Sequence, residues 1–208
     1  MTTGGVLTGP ARAGWVAMVH GARDQFTPLG AGVAIDRHRV LTCAHVVRAR
    51  HEAGAALWVA FPMSEDPHAS QSCVAQVRMD ARPEVDLAVL ELAEELPPDV
   101  EPAELRCPRP ADLRGKGNRG KQWWAFGFAN RDPRGTRRTG RWVRHWRSAG
   151  SGWTPGPGTT CCPGFSGTGL WSPDYQAVVG IVGQGGDVIV GLDSGLIALR
   201  IAATGNTA

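Results

Sequence analysis

Glycine and proline punctuate this chain from end to end, 28 and 15 of them in 208 residues, and that density limits what it can fold into. Glycine and proline both work against regular helix, so a chain that turns this often favours many short strands over long helices. The apolar runs between the turns have strand length. They are Val16 to Val19, Gly32 to Ile35, Val40 to Thr42, Ala56 to Phe61, Cys73 to Met79 and Leu87 to Leu92 in the first half. Trp123 to Phe128, Arg141 to Trp146, Gly169 to Trp171, Ala177 to Val182, Val188 to Val190 and Leu196 to Ile201 follow in the second. Their composition and alternation predict an all-β protein. Asp36-Arg37-His38-Arg39 reads as a tight turn into Val40, a hairpin that delivers His45. Between the halves, the stretch from Ala93 to Pro110 holds five prolines and reads as a long surface crossing.

Other classes are set aside by what the sequence lacks. Met1 to Val19 has no basic start followed by a sustained apolar run, so no signal peptide is expected. No run approaches the about 18 apolar residues of a membrane-spanning helix. The five cysteines, Cys43, Cys73, Cys107, Cys161 and Cys162, are odd in number and lack zinc-site spacing. Adjacent cysteines rarely meet disulfide geometry, so free thiols in a reducing cytoplasm are the expectation.

Three short patterns carry chemistry. The first is Val40-Leu41-Thr42-Cys43-Ala44-His45-Val46-Val47, where a histidine follows a strand directly and is held at its end. The second is Asp86 immediately before the apolar run Leu87-Ala88-Val89-Leu90, an acid at the mouth of a buried strand. The third is Gly164-Phe165-Ser166-Gly167, where glycines permit a tight loop that exposes a hydroxyl. Singly, each has a bland explanation: a structural histidine, a turn aspartate, a flexible turn.

Together, in the order His, Asp, Ser and separated by 41 and 80 residues, the three patterns resemble the signature regions of trypsin-like serine proteases. The likeness runs from about Gly14 to Ile201 and is nearest to the compact bacterial or intracellular type. It implies two six-stranded antiparallel Greek-key β-barrels with the active site at their junction. The chain 1–208 is then a single peptidase domain, with an N-terminal barrel over about 14–105 and a C-terminal barrel over about 106–201. It also implies a catalytic triad of His45, Asp86 and Ser166, and an oxyanion hole from the backbone N–H groups of Gly164 and Ser166. Thr160, Gly183 and Gly185 fall at the family's substrate-binding positions. No acid stands at the pocket base, so small or medium uncharged side chains are the expected substrates. Two departures are visible: Thr168 and Gly169 replace the usual glycine and proline after Ser-Gly, and Phe165 replaces the acid that precedes the serine in members activated by N-terminal clipping. Control is therefore expected from a regulatory protein or a fused sensor module.

Arg131 to Arg147 contains seven arginines against one acid, Asp132, a net +6 in a chain of net +3. Alternating Arg and Trp suit a strand with one wet face, and neither nucleic acid nor membrane is the expected partner. Gly115 to Lys121 lacks the Gly-Lys-Ser/Thr ending of a phosphate loop. No metal or organic cofactor is implied. Two function classes remain: a serine endopeptidase acting on protein or peptide substrates, and a protease-fold binding module whose Arg-rich segment holds an acidic partner or nucleic acid. The intact Ser-His-Asp set favours the first.

Overall fold

The computed structural model describes residues 9–11, 13–23, 25–66, 71–79, 86–107, 122–144, 153–155, 164–183 and 188–190. The first half is a closed, all-antiparallel barrel of β1 (Val16–Ala22), β2 (Gln25–Ala34), β3 (Arg39–Thr42), β4 (Trp58–Ala60), β5 (Gln71–Met79) and β6 (Ala88–Leu92), in the order β1-β2-β3-β6-β5-β4 with β4 returning to β1. A short helix, α1 (Ala44–Glu52), follows β3. The second half is a six-stranded antiparallel sheet of β7 (Gln122–Gly127), β8 (Thr136–Arg144), β9 (Trp153–Pro155), β10 (Gly169–Ser172), β11 (Ala177–Val182) and β12 (Val188–Val190), in the order β12-β11-β10-β7-β8-β9. Its edge strands β12 and β9 come back into contact, curling the sheet toward closure.

Local chemistry explains the placement of the first barrel's strands. Asp36 accepts the His38 N–H at 2.9 Å and pairs with the Arg39 guanidinium, while Ile35 N donates to Arg39 O at 2.9 Å. The side chain thus closes the turn that sends β2 into β3. Val33 faces Leu41 across that pair and Val40 faces Leu90 across the next, and all four are fully buried. Thr42 lies opposite Ala88. Carrying the same antiparallel register two residues further brings Ala44 beside Asp86, which sets the acid against the start of α1.

The second sheet buries both faces. On β7, Trp124 and Phe126 join the first barrel's core together with Val178 and Ile181, whereas Trp123 and Ala125 join Phe165, Leu170, Val179 and Val182 in a second cluster. Every residue of β11 is buried, so this strand reads as a continuous apolar run and not as an alternation. Trp15 meets the Trp124 ring edge-on, with centroids 6.1 Å apart. The connecting chain stitches the halves further: Ala103 N donates to Ala34 O, Val178 N to Glu104 O and Arg106 N to Val178 O at 2.8–3.0 Å.

The expected strands of the described residues are present, with three differences. Helix α1 was not predicted from sequence; it is nine residues long, buries only Ala44 and Val47, and has no side-chain N-cap, so it carries little periodic signal. β8 begins at Thr136 and not at Arg141 because pairing with β7, Thr136 opposite Gly127 onward, extends it through the polar run Thr-Arg-Arg-Thr. β9 is paired to β8 and has too few apolar residues to stand out. The expected strand Leu196 to Ile201 lies outside the described residues.

Candidate active site

The end of β3 and the first turn of α1 hold His45. Cys43 is the residue before the helix, in extended conformation (φ −82°, ψ 143°), and His45 follows in the first turn. The Asp86 carboxylate accepts two hydrogen bonds from His45, one from its backbone N–H at 2.9 Å and one from its ring Nδ1 at 2.5 Å. An ionised carboxylate can only accept, so the ring proton sits on Nδ1 and the Nε2 lone pair is left for other work. Burial opposes the Asp86 charge, but the ring and backbone hydrogen bonds from His45 outweigh it and hold the carboxyl below its ordinary range. Both side chains are about three-quarters buried, with 30% and 25% exposure for His45 and Asp86, which leaves the ring reachable from solvent.

Cys43 sits behind this pair. Its thiol is fully buried and donates to Val182 O at 3.2 Å. Burial pushes the thiol up strongly, and the Asp86 charge pushes it the same way. Cys43 Sγ, a His45 ring nitrogen and an Asp86 oxygen lie within 4.8 Å of one another, a set of metal-ligating types. The donor set fits a metal poorly. Two ligands on one tetrahedral ion at bond lengths of about 2.0–2.2 Å stand about 3.3 Å apart, whereas His45 Nδ1 and Asp86 Oδ2 are at hydrogen-bond distance, and a ligating cysteine must give up its proton.

Ser166 is delivered by the loop before β10. Gly164 takes φ +98°, a left-handed value, and a side chain there would run into the Phe128 carbonyl. Phe128 N donates to Gly164 O at 3.1 Å, Thr168 N to Phe165 O at 3.0 Å and Gly167 N to Val182 O at 2.8 Å. The carbonyl of Val182 therefore receives both the serine loop and the Cys43 thiol. Ala31 N donates to Ser166 O at 2.8 Å, pinning the loop to β2 of the first barrel. At Gly30 a Cβ would lie 2.9 Å from Ser166 O and 2.8 Å from the Val46 side chain, so the serine backbone and the neighbour of His45 close on the same glycine.

The structure thus brings His45, Asp86, Ser166 and Gly164 to the junction of the two halves. Ser166 Oγ and the His45 ring are not hydrogen-bonded to each other in this structure. Among the described residues, the N–H groups of Gly164 and Ser166 donate to no backbone carbonyl. Gly183 is buried directly after β11; Thr160 and Gly185 lie outside the described residues. Sequence reasoning treated Cys43 as one free thiol among five and gave no role to Val182. The signal available was the position of Cys43, two residues before His45 on the same strand end. Thr168, the sequence departure beside the serine, is buried, and its backbone joins the loop turn and accepts from Val182 N at 2.9 Å.

Comparison with known proteins agrees with this fold. The family model of the trypsin-like peptidase domain matches residues 30–181. A search of curated proteins finds no match. Among solved structures, the chain is similar to a Glu endopeptidase (14% identity, TM-score 0.67, covering 94% of this chain and 93% of the other). It is also similar to a scabies mite inactivated protease paralogue (18%, 0.63, 93% and 96%) and to the MamO protease domain of Magnetospirillum magneticum (19%, 0.56, 90% and 95%). At these identities the likeness is one of fold, and the fold is shared by a paralogue described as inactivated.

Proposed function

This chain belongs to the family of trypsin-like peptidase domains, and on that premise we propose that it is a serine endopeptidase with Ser166 as nucleophile. The observation that carries the reading is the pair of hydrogen bonds from His45 to Asp86. With its proton fixed on Nδ1, the imidazole presents Nε2 as a base to Ser166 Oγ. The serine oxygen attacks the substrate carbonyl as its proton passes to Nε2, and Asp86 stabilises the imidazolium that results. The N–H groups of Gly164 and Ser166 hold the oxyanion, each donor worth about 2.7–4 kcal/mol in enzymes of this chemistry. Collapse expels the amine, which takes the proton from Nε2, and water repeats the sequence to free the acid and restore Ser166. The absent Ser166–His45 hydrogen bond is consistent with a substrate-free site, where such contacts are often long and tighten on binding.

Thr160, Gly183 and Gly185 form the substrate-binding positions, favouring small or medium uncharged side chains. Phe165 is buried in the apolar cluster with Trp123, Leu170 and Val182, so no acid beside the serine awaits a newly cut N-terminus. Regulation then falls to a partner protein or a fused module. Cys43 and Cys73 are free thiols, which suits a reducing cytoplasm, and no helix among the described residues is long and apolar enough to cross a membrane.

A fluorophosphonate probe, which labels activated serines, tests the reading. Labelling of the wild type that disappears in Ser166→Ala and His45→Ala supports it. Absence of labelling in folded wild-type protein favours the second reading, a binding module on a protease fold, for which the open Ser166–His45 contact is the motivating observation.

A further inference from the structure

The loop between β7 and β8 is packed against the serine loop. Phe128 N bonds Gly164 O, Arg131 N bonds Phe128 O at 2.9 Å, and a Cβ on Gly164 would stand 3.5 Å from Arg131 N. Gly127, at the end of β7, lies against the Phe165 ring, so a side chain there would collide with it. Asn130 and Arg131 both take left-handed conformations (φ 54° and 59°) without being glycine, an unfavourable turn that surrounding contacts must hold in place. Arg131 is thereby fixed two backbone contacts away from the residue preceding Phe165-Ser166.

The charges of this hairpin are unbalanced. Its acid, Asp132, is committed to Arg134, taking Nε at 3.1 Å, a terminal guanidinium nitrogen at 2.9 Å and the backbone N–H at 3.0 Å. Arg131, Arg137 and Arg138 are exposed, and among the described residues their guanidiniums make no ion pair or hydrogen bond. Arg137 and Arg138 stand opposite Phe126 and Ala125 on β7, one strand from the contact with Phe165. Among the described residues, three guanidiniums thus lack counter-charges beyond the serine loop, Arg131 at the contact itself and Arg137 and Arg138 on opposite faces of β8. A solvated charged loop needs no such anchoring to the serine loop, nor a left-handed pair at the point of contact.

We propose that Arg131, with Arg137 and Arg138, is a specificity rim that selects acidic peptide segments, placing Asp or Glu side chains of the substrate beside the bond to be cut. Guanidinium is suited to this because its planar fork meets a carboxylate with two hydrogen bonds. Uncompensated like charges near a cleft also attract acidic chains over a distance, an effect that salt screens. The inference rests on the serine-protease reading and adds a charge preference at residues flanking the cleaved bond to the uncharged preference assigned to Thr160, Gly183 and Gly185.

The test uses two peptides with the same scissile bond, one flanked by Asp and Glu and the other by Asn and Gln. Cleavage by wild type is compared with Arg131→Gln and Arg137→Gln/Arg138→Gln, and binding of both peptides is measured by fluorescence anisotropy on the Ser166→Ala protein and its rim variants. The expected result is a kcat/KM ratio of about tenfold or more in favour of the acidic peptide, falling toward one in 0.5 M salt and in the rim variants, with the same ordering in binding. Equal kcat/KM and equal binding for the two peptides overturn the proposal, as does a preference untouched by all three substitutions. Binding of a single-stranded oligonucleotide that depends on the rim arginines, with the two peptides bound alike, also overturns it and identifies a nucleic-acid surface. If wild type fails to label with fluorophosphonate, the protease reading fails, while the anisotropy ratio on Ser166→Ala still decides the rim by itself.

Discussion

The two halves of the site are built by opposite means. On the first barrel, His45 and Asp86 are placed by strand register and fixed by side-chain chemistry, one carboxylate taking both a ring and a backbone N–H. On the second sheet, Ser166 is placed by the absence of side chains, with Gly164 against the Phe128 carbonyl and Gly30 against Ser166 O, and by carbonyls such as Val182 that receive its loop. The first half should therefore respond to changes in charge and hydrogen bonding, and the second to changes in volume. That contrast orders the expected effects of substitution.

The largest expected effect is electronic. Asp86→Asn keeps the size of the side chain but offers a donor where an acceptor is needed, which favours the wrong imidazole tautomer. Peptide hydrolysis should fall by about 10⁴-fold with the fold retained by circular dichroism. A loss below tenfold would mean that Asp86 does not set the His45 proton.

Next comes the steric counterpart, Gly164→Ala. A methyl at φ +98° meets the Phe128 carbonyl, so the loop must shift and carry an oxyanion donor with it. Turnover should drop about 10²–10³-fold, the effect of losing one such donor. Wild-type activity in this variant, measured on the same peptide, would remove Gly164 from the oxyanion site and break the contrast between the halves.

Packing across the junction gives a stability effect. Trp124 is 3% exposed and touches both Trp15 and Phe126. Trp124→Ala should cost about 3–5 kcal/mol in denaturant unfolding. A value under 1 kcal/mol would show that the halves are not sharing one core there.

Cys43 tests the link between the halves more gently. Cys43→Ala removes the thiol donor to Val182 O, and a buried hydrogen bond of this kind is worth about 1 kcal/mol net. Turnover should fall less than tenfold, and Cys43→Ser should recover it because the hydroxyl reaches the same carbonyl. Equal behaviour of Ala and Ser would reduce the thiol to a space-filler.

The smallest effect is in pH dependence. The Asp86 carboxyl lies below its ordinary range in the folded chain, so folding keeps it ionised where the unfolded chain takes up a proton. Its contribution is complete above the unfolded carboxylate value of about 3.9 and is lost as pH falls through the lower folded value. The melting-temperature gap between wild type and Asp86→Asn should narrow as pH falls below about 4. A gap that widens below about pH 4 would contradict the assignment.

Much of this was legible in the sequence because local chemistry and fold agree. The Asp36 turn, the apolar strands β3 and β6, and the His45 and Asp86 positions follow from turn residues and alternation. The three-part site emerged from the joint resemblance of Thr42-Cys43-Ala44-His45, Asp86-Leu87-Ala88 and Gly164-Phe165-Ser166-Gly167 to one family, since each part alone has a bland reading. What escaped the sequence was set by tertiary pairing. β8 enters the sheet through Arg137 and Arg138 because β7 supplies the register, and α1 forms with only two buried residues because β3 launches it. The shared Val182 carbonyl joins Cys43 to Gly167 from 139 residues away, beyond any local pattern.

The most direct measurement is mass spectrometry of the intact protein after mixing with a slowly deacylating p-nitrophenyl ester. Covalent catalysis at Ser166 requires a nitrophenol burst approaching one per chain and a single acyl adduct mapped to the peptide containing Ser166, both absent in Ser166→Ala and His45→Ala. Folded wild-type protein with no burst, or with its adduct on another residue, would contradict the triad.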